Sequence, residues 1–217
     1  MTDFTLYGFW ESGNAYKVAL MLELNGADWQ CQRVPFFGGG TKTDEYRAMN
    51  VMAEAPVLVH HRDDGDFTLS QSGACLTYLS NLFDTYGADT EAQEYDVLRW
   101  LLFDSQKVSG YAGPLRFMRT FAKMEEGQLT ENFEQRLGAA LKAMDLALSD
   151  KPFLTGDTCT IADLACQGYL HWPEQIGITY DNRPNIQPWL DRIRALPGFK
   201  TSEELMPSGR DAPTAVA

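Results

Sequence analysis

The stretch of residues 4–26 constrains the fold of this chain more than any other. Its first part, residues 4–10, is an aromatic and apolar run of the kind that forms a short buried strand. A polar break follows, and apolar residues at helical spacing then continue to Asn25-Gly26, a common C-terminal signal of a helix. A strand that enters a helix through a short loop leaves backbone N–H groups at the helix N-terminus, where they favour an anion. Because Ser12 and Asn14 lie at this break, the sequence predicts an anion site there.

Strand and helix patterns alternate through residues 1–84. Turn residues at 63–66 separate two apolar runs and predict a hairpin. Further strands are predicted at 29–34, 55–60 and 67–69, and helices at 46–49 and 70–82, with Thr41 or Thr43 as the cap of the shorter one. The resulting order is βαβαββα, which predicts a mixed sheet with helices packed against it. We therefore expect one small α/β domain over residues 1–84.

The strand signal vanishes beyond the first domain. Residues 85–91 are polar and are interpreted as a linker, and apolar residues at helical spacing follow. Residues 160–163, Thr-Ile-Ala-Asp, have the form of a capping box, with aspartate in place of the usual glutamate or glutamine. These patterns predict an all-helical domain over residues 92–217, with helices at 95–109, 114–121, 129–148 and 186–196. The small and polar residues 208–217 are expected to fray.

Composition and charge exclude several classes of function. The formal net charge of −12 over 217 residues argues against a nucleic-acid partner, whose phosphates require clustered lysine and arginine. No run of about 18 apolar residues is present, so we expect no membrane span, and no basic and apolar leader is visible. The four cysteines lie in apolar surroundings without paired or metal-type spacing, which favours reduced core thiols and a cytoplasmic protein. The three histidines have no ligand partners at metal spacing, so no metal is expected.

Several local strings, in order along the chain, resemble those of the cytosolic glutathione transferases. Residues 7–18 resemble the first strand and helix of the serine-type classes (theta, zeta and similar bacterial classes), and Asn14 resembles the asparagine of bacterial nu-type and yeast prion-like members. The others resemble the cis-proline motif (55–58), the pair that grips the γ-glutamyl group (71–72), the capping box of the buried sixth helix (160–163) and the closing helix (188–199). The resemblance covers nearly the whole chain.

The resemblance implies both a fold and an activity. It implies an α/β thioredoxin-like N-terminal domain (βαβαββα) that binds glutathione, and an all-α C-terminal domain that carries part of a hydrophobic pocket. It also implies a homodimeric glutathione transferase with glutathione as substrate, which activates the thiol for attack on a small apolar electrophile or for reduction of a peroxide or disulfide. Residues 50–55 depart from the family's usual run before the cis-proline. No cysteine occupies the turn at 11–14, so the cysteine-type chemistry of some classes is absent at that position.

A hydrogen bond and a helix N-terminus together supply enough free energy for the thiol ionisation that the resemblance implies for Ser12. The thiol of glutathione, taken as a cysteine, has a pKa of about 8.5, and lowering it by about two units requires a preference for the anion of about 2.7 kcal/mol. The thiolate is the nucleophile. A hydroxyl hydrogen bond to a charged sulfur supplies about 1.5–3 kcal/mol, and the helix N-terminus adds about 0.3–1 kcal/mol. We therefore expect Ser12 to donate to the sulfur with support from Asn14, without a metal or a general base.

Three alternatives to this role of Ser12 remain open, and the first is that Asn14 dominates in stabilising the thiolate. Ser12 is equally suited to be a plain N-cap of the first helix. Tyr7 lies on the strand where other classes of the family place a catalytic tyrosine. Its offset in sequence from that position is short, which favours core packing.

The resemblance further implies residues that hold glutathione. Pro56 in cis would leave the backbone N–H and C=O of Val57 ready for the cysteinyl backbone, although an edge-strand proline fits the same pattern. Gln71 and Ser72 begin a helix, where donors converge on a carboxylate, and simple capping uses the same donors. Lys42 is placed for the glycyl carboxylate, unless it is only solvated. The predicted glutathione-binding residues are Lys42, Ala55, Pro56, Val57, Gln71 and Ser72.

Aromatic residues suggest an apolar second substrate. The predicted pocket walls are Phe9, Trp10, Phe103 and Tyr111, with Phe117 as a further candidate. Aromatic side chains at helical spacing are also typical of a core. Two other functions fit the same resemblance: a non-catalytic binding or regulatory protein with this fold, and an isomerase or lyase that depends on glutathione.

Overall fold

The computed structural model describes residues 2–210, and these residues form two compact units. The first unit contains residues 2–79 and 198–210, and the second contains residues 80–197. The sequence placed all residues after the linker in the helical domain, whereas the structure groups the last described residues with the first unit. Within residues 2–210, no helix combines the length and apolar character needed to cross a membrane.

A four-stranded mixed sheet forms the centre of the first unit. Its order is β2-β1-β3-β4, with β1 (Phe4–Gly8) parallel to β2 (Trp29–Arg33) and antiparallel to β3 (Val57–Arg62). β4 (Gly65–Ser70) pairs antiparallel with β3 on the other side. Leu6, in the middle of β1, is fully buried because β1 has a neighbouring strand on both sides and packed layers on its faces.

Three helices complete the βαβαββα order and confirm the predicted thioredoxin-like arrangement. They are α1 (Gly13–Leu24), α2 (Asp44–Met49) and α3 (Ser72–Phe83). Two short 3₁₀ turns, at 36–38 and 40–42, lie on either side of Gly39 and precede α2. Thr43 caps α2, since its Oγ1 accepts from the backbone N–H of Tyr46 at 3.2 Å. Thr43 is one of the two caps that the sequence left open.

The second unit is helical, as predicted. Its helices are α4 (Glu91–Phe103), α5 (Ser109–Arg116), α6 (Gln128–Ala147), α7 (Ile161–Cys166), α8 (Pro173–Ile176) and α9 (Ile186–Arg194). The sequence predicted a helix that begins after Pro114, but Pro114 lies inside α5. Wider π-helical turns at 104–108 and 117–121 flank α5. A proline normally breaks a regular helix, and this irregular stretch accommodates one in a way that no local pattern indicated.

The predicted capping box at 160–163 lies in the core of the second unit. The backbone N–H of Thr160 donates to Asp163 Oδ2 at 2.9 Å, and Asp163 Oδ1 accepts from the Leu154 backbone and from Trp189 Nε1, both at 2.8 Å. Burial raises the pKa of the Asp163 carboxyl, and these hydrogen bonds oppose the shift. One carboxylate therefore connects the loop before α7 with α9.

Residues 200–205 pack on α1. Helix α10 (Ser202–Leu205) contacts α1, and the hydroxyl of Tyr16 donates to the carbonyl of Lys200 at 2.9 Å. Fraying was predicted for residues 208–217. Of these, 211–217 lie outside the described residues, while Ser208 donates to the buried carboxylate of Glu11 at 2.6 Å.

Candidate active site

Ser12 lies at the N-terminus of α1 and caps it. Its Oγ accepts a hydrogen bond from the backbone N–H of Ala15 at 3.2 Å, and its backbone N–H donates to the carbonyl of Phe9 at 3.1 Å. The side chain is nearly buried, with 7% of its residue surface exposed. A hydroxyl can accept and donate at the same time, so the cap bond leaves the hydrogen of Ser12 available to a ligand. The capping role that the sequence left open is observed, and it is compatible with a role toward the sulfur.

Asn14 connects the N-termini of α1 and α3. Its Oδ1 accepts from the ammonium of Lys17 at 2.9 Å and from Oγ of Ser72 at 3.3 Å. Ser72 is the first residue of α3. The structure thus brings together two parts of the predicted site that are 58 residues apart in sequence. Two helix N-termini that meet in this way direct backbone N–H groups toward one region.

The turn before α3 holds Gln71 in a backbone conformation that only a few non-glycine residues adopt. Its φ is +69°, in the left-handed region, and its carbonyl accepts from the N–H of Cys75 at 3.0 Å. The Gln71 side chain is exposed and its Nε2 donates to Glu54 Oε2 at 3.0 Å. Backbone conformations of this kind cluster at ligand sites in proteins. The turn positions Ser72 at the start of α3.

The predicted cis peptide bond is present between Ala55 and Pro56. Val57 follows as the first residue of β3, opposite Tyr7 of β1 on one side and Ser70 of β4 on the other. The availability of the Val57 backbone groups to a ligand stays a prediction.

The segment before the cis bond accepts hydrogen bonds from two side chains. The carbonyl of Glu54 accepts from Asn50 Nδ2 at 2.8 Å and from the hydroxyl of Tyr46 at 3.0 Å. These bonds hold the approach to β3, where the sequence departs from the family's usual run, in one conformation.

Tyr7 and Phe9 lie in the core of the first unit. Phe9 is 4% exposed, clusters with Val34, Tyr46 and Val57, and stacks on Phe36 with ring centroids 4.9 Å apart. Tyr7 packs against the same cluster. The core packing that the sequence favoured for Tyr7 is therefore observed, and Phe9 is buried in the same cluster, while its role as a wall of the second-substrate pocket stays a prediction.

The cysteine thiols of the first unit are poor nucleophiles. Burial raises the pKa of Cys31 to about 11 and that of Cys75 to about 12, because a low-dielectric environment disfavours the thiolate. These two thiols are therefore poor candidates for a nucleophile near neutral pH. Among residues 2–210, no group of three or more metal-ligating side chains is found.

Comparison with known proteins identifies the family. The N-terminal domain model of the glutathione S-transferases matches residues 2–81, and their C-terminal domain model matches residues 112–197. A crystal structure of a glutathione S-transferase from Pseudomonas fluorescens Pf-5 superimposes with a TM-score of 0.86 and 30% identity, covering 93% of this chain and 99% of that one. This chain belongs to the glutathione S-transferase family.

Two further relatives of this family member are also named as glutathione transferases. Glutathione S-transferase theta-2 of Rattus norvegicus is 26% identical over 199 residues, which cover 86% of this chain and 79% of that protein. A second glutathione transferase family member from Pseudomonas fluorescens Pf-5 was crystallised with two glutathione bound. It is 25% identical, with a TM-score of 0.81, and the match covers 94% of this chain and 92% of that one.

The remaining predicted site residues of this glutathione S-transferase family member lie in different elements of the two units. Lys42 ends the second 3₁₀ turn, its side chain is exposed, and no hydrogen bond joins its ammonium to another residue within 2–210. Trp10 is half-buried in the first unit, whereas Phe103 and Tyr111 belong to the second unit, where they contact Trp100 and Phe133. A shared pocket of these aromatic residues stays a prediction.

Lys17, which sequence reasoning did not single out, contacts Asn14 of the candidate site. It lies in α1, between Tyr16 and Val18, and is fully buried. A lysine at a helix position where both neighbours are buried is unusual, and that pattern is the signal that could have identified it. Its side chain bends toward the N-terminus of α1, the direction in which helical side chains tilt, and reaches Asn14.

Proposed function

We propose that this chain is a glutathione transferase that ionises the thiol of glutathione and directs the sulfur to an apolar electrophile. The observation that carries this proposal is the Asn14 side chain, which joins the N-termini of α1 and α3 at one place. One helix N-terminus serves the developing thiolate and the other serves a carboxylate of the same tripeptide. Membership of the family supports glutathione as the ligand.

The residues have distinct roles in this proposal. Ser12 donates its hydroxyl hydrogen to the sulfur, and Asn14 supports it. Ser72, Gln71 and the first N–H groups of α3 hold the γ-glutamyl end. Ala55, Pro56 and Val57 meet the cysteinyl backbone, and Lys42 meets the glycyl carboxylate.

The chemical step follows from the ionised thiol. The thiol proton passes to solvent, the sulfur lone pair forms a bond to an electrophilic carbon, and a leaving group departs with its electron pair. With a peroxide, the same sulfur attacks one oxygen and becomes a sulfenic acid, the O–O bond breaks, and the other oxygen leaves as an alkoxide that takes a proton from solvent and departs as an alcohol. A second glutathione thiolate then attacks the sulfur, which releases water and glutathione disulfide. Trp10, Phe103 and Tyr111 are proposed to contact the apolar part of the second substrate.

The proposal includes a homodimer and a reducing compartment. Helix α4 carries Tyr95, Leu98 and Leu102, which are 66%, 49% and 64% exposed and follow the spacing of one helical face. A second copy of this chain would bury that face. The four cysteines are free thiols, which supports a cytoplasmic enzyme.

Calorimetric titration with glutathione and with S-methylglutathione tests this function. The methylated ligand keeps both carboxylates but has no thiol proton, so both should bind at millimolar concentration or below, and only binding of glutathione should release a proton. A panel of electrophiles and peroxides then measures turnover. Binding without turnover would favour a non-catalytic module with this fold, and the absence of binding at millimolar glutathione would overturn the proposal.

A further inference from the structure

Lys17 places a buried positive charge beside the candidate active site. Its side chain is fully buried, and its Nζ donates to Asn14 Oδ1 at 2.9 Å. An ammonium group loses much of its hydration energy when it is buried, so lysines with no exposed surface are rare in proteins. An apolar residue of the same length would fill this space at less cost. The charge therefore requires an explanation in terms of what it contacts.

The contact with Lys17 determines which way the Asn14 amide points. An ammonium has three donors and no acceptor, so the atom of Asn14 that faces it is the carbonyl oxygen. The Nδ2 group, with two N–H donors, is directed away from Lys17. Oγ of Ser72 lies 3.3 Å from the same oxygen. Asn14 is thus oriented to donate, and not to accept, on its remaining side.

We infer that Lys17 is a positioning residue for thiol activation, an inference that rests on the function proposed above. Its ammonium fixes the Asn14 amide with the carbonyl oxygen turned inward and the N–H groups turned toward the sulfur that Ser12 contacts. Its charge also polarises the amide, which strengthens the bond that Nδ2 donates to an anion. Ser12 and Asn14 then stabilise the thiolate together, and Lys17 acts through Asn14.

The two bonds to Asn14 Oδ1 have different consequences when glutathione binds. The Ser72 hydroxyl is the longer contact, and it is free to rotate toward a ligand carboxylate. The shorter bond from Lys17 remains and keeps the amide oriented after that rotation. Lys17 therefore allows Ser72 to serve the γ-glutamyl end while Asn14 serves the sulfur.

The test measures the pKa of the glutathione thiol in the complex, from the ultraviolet absorbance of the thiolate as a function of pH. The variant Lys17→Met should raise this pKa by about one unit, which is a tenfold loss of thiolate near neutral pH, and should lower kcat/KM by about tenfold. Lys17→Arg keeps the charge and should restore most of both. Lys142→Met removes an exposed lysine of α6 and should change neither.

A double-mutant comparison tests whether Lys17 acts through Asn14. Asn14→Ala should raise the thiol pKa by itself, and Lys17→Met should add little in that background. Equal effects of Lys17→Met with and without Asn14 would overturn the coupling. A Lys17→Met protein with a lower Tm but a wild-type thiol pKa would show a purely structural lysine and overturn the inference.

Two further outcomes are decisive. Should Lys17→Met fail to fold, Lys17→Gln decides, because the glutamine removes the charge and, with both a donor and an acceptor, no longer fixes the Asn14 amide in one orientation. A raised thiol pKa in that variant supports the inference, and an unchanged pKa overturns it. Wild-type protein that binds no glutathione would overturn the proposed function, whereas binding with an unchanged thiol pKa in Lys17→Met overturns this inference alone.

Discussion

Ser12 illustrates how one hydroxyl group can serve a helix and a ligand together. Its oxygen accepts from the N–H of Ala15, and its hydrogen remains for an anion. The choice between N-cap and catalytic group, which the sequence left open, is therefore not exclusive. The residue type and its position before the first helix indicated both roles, because both need a small hydroxyl at a helix N-terminus.

Replacement of Ser12 by alanine should affect activity more than stability. The loss of a hydrogen bond to a charged sulfur, about 1.5–3 kcal/mol, should lower kcat/KM by about ten- to a hundredfold. The loss of the cap should cost about 1 kcal/mol of unfolding free energy. Thr90→Ala is the matched control, because Thr90 caps α4 by the same bond, to the N–H of Gln93 at 3.2 Å. It should lose stability alone, and equal activity losses in both variants would contradict the role of Ser12.

His171 should make the second unit less stable in acid. Arg194 Nη2, which can only donate, lies 3.1 Å from Nδ1 of His171, so that nitrogen is an acceptor and the ring is neutral. Burial, followed by the charge of Arg194, lowers the pKa of His171 to about 3. The unfolded chain takes up this proton near pH 6.5, whereas the folded chain does not until about pH 3, so the unfolding free energy falls as the pH falls through that window.

The variant His171→Asn tests this effect by denaturant unfolding at several pH values. The variant lacks the titrating ring, so its unfolding free energy should fall less steeply with acid, by at most about 1.4 kcal/mol per pH unit. Parallel stability curves for the two proteins between pH 6.5 and 4 would contradict the assignment.

At the scale of elements, the closing segment of residues 206–210 is bound to the loop that carries Ser12. The carbonyl of Pro207 accepts from the N–H of Trp10 at 3.0 Å, and Glu11 accepts from Ser208 Oγ at 2.6 Å and from the N–H of Gly209 at 2.9 Å. A Cβ at Gly209 would lie 2.8 Å from the ring of Phe9, so the close approach requires glycine. The segment therefore supports the loop between β1 and α1.

Truncation should show this support directly. A chain that ends at residue 205 loses two donors to the buried carboxylate of Glu11, and we expect a loss of about 1–3 kcal/mol in unfolding free energy. Its kcat/KM should fall as well, since the loop before Ser12 loses its contacts. A chain that ends at residue 210 keeps them and is the control. Similar stability of the two truncated chains, measured in urea, would contradict the support.

Local sequence patterns predicted the order of the helices and strands, but they did not predict where the elements are irregular or how the end of the chain packs. An aromatic and apolar run predicted β1, helical apolar spacing predicted α1, and turn residues between two apolar runs predicted the hairpin, because each pattern lies within a few adjacent residues. The placement of Pro114 inside α5 and the attachment of residues 198–210 to the first unit were not predicted. Both depend on contacts with residues distant in sequence, and no local periodicity encodes such contacts.

At the scale of the whole molecule, the apolar face of α4 should decide the oligomeric state. Leu98→Lys places a charge in the middle of this face, between Tyr95 and Leu102, and should shift the dimer to monomer in sedimentation at micromolar concentration, because a buried unpaired charge opposes association. Leu146→Lys replaces a leucine of α6 that is 64% exposed and outside this face. It should leave the dimer intact, and dissociation by both variants, or by neither, would contradict the proposal.

The sequence by itself determined the two-part architecture, the capping box at 160–163 and, by resemblance, the family, because each depends on patterns of adjacent residues. The tertiary structure alone decided that Asn14 meets Ser72, that Lys17 is buried behind them and that Glu11 binds the closing segment. These contacts join residues from different elements or depend on how one helix is buried. Their energies come from desolvation and from the orientation of donors toward acceptors, and neither quantity exists until the chain has packed.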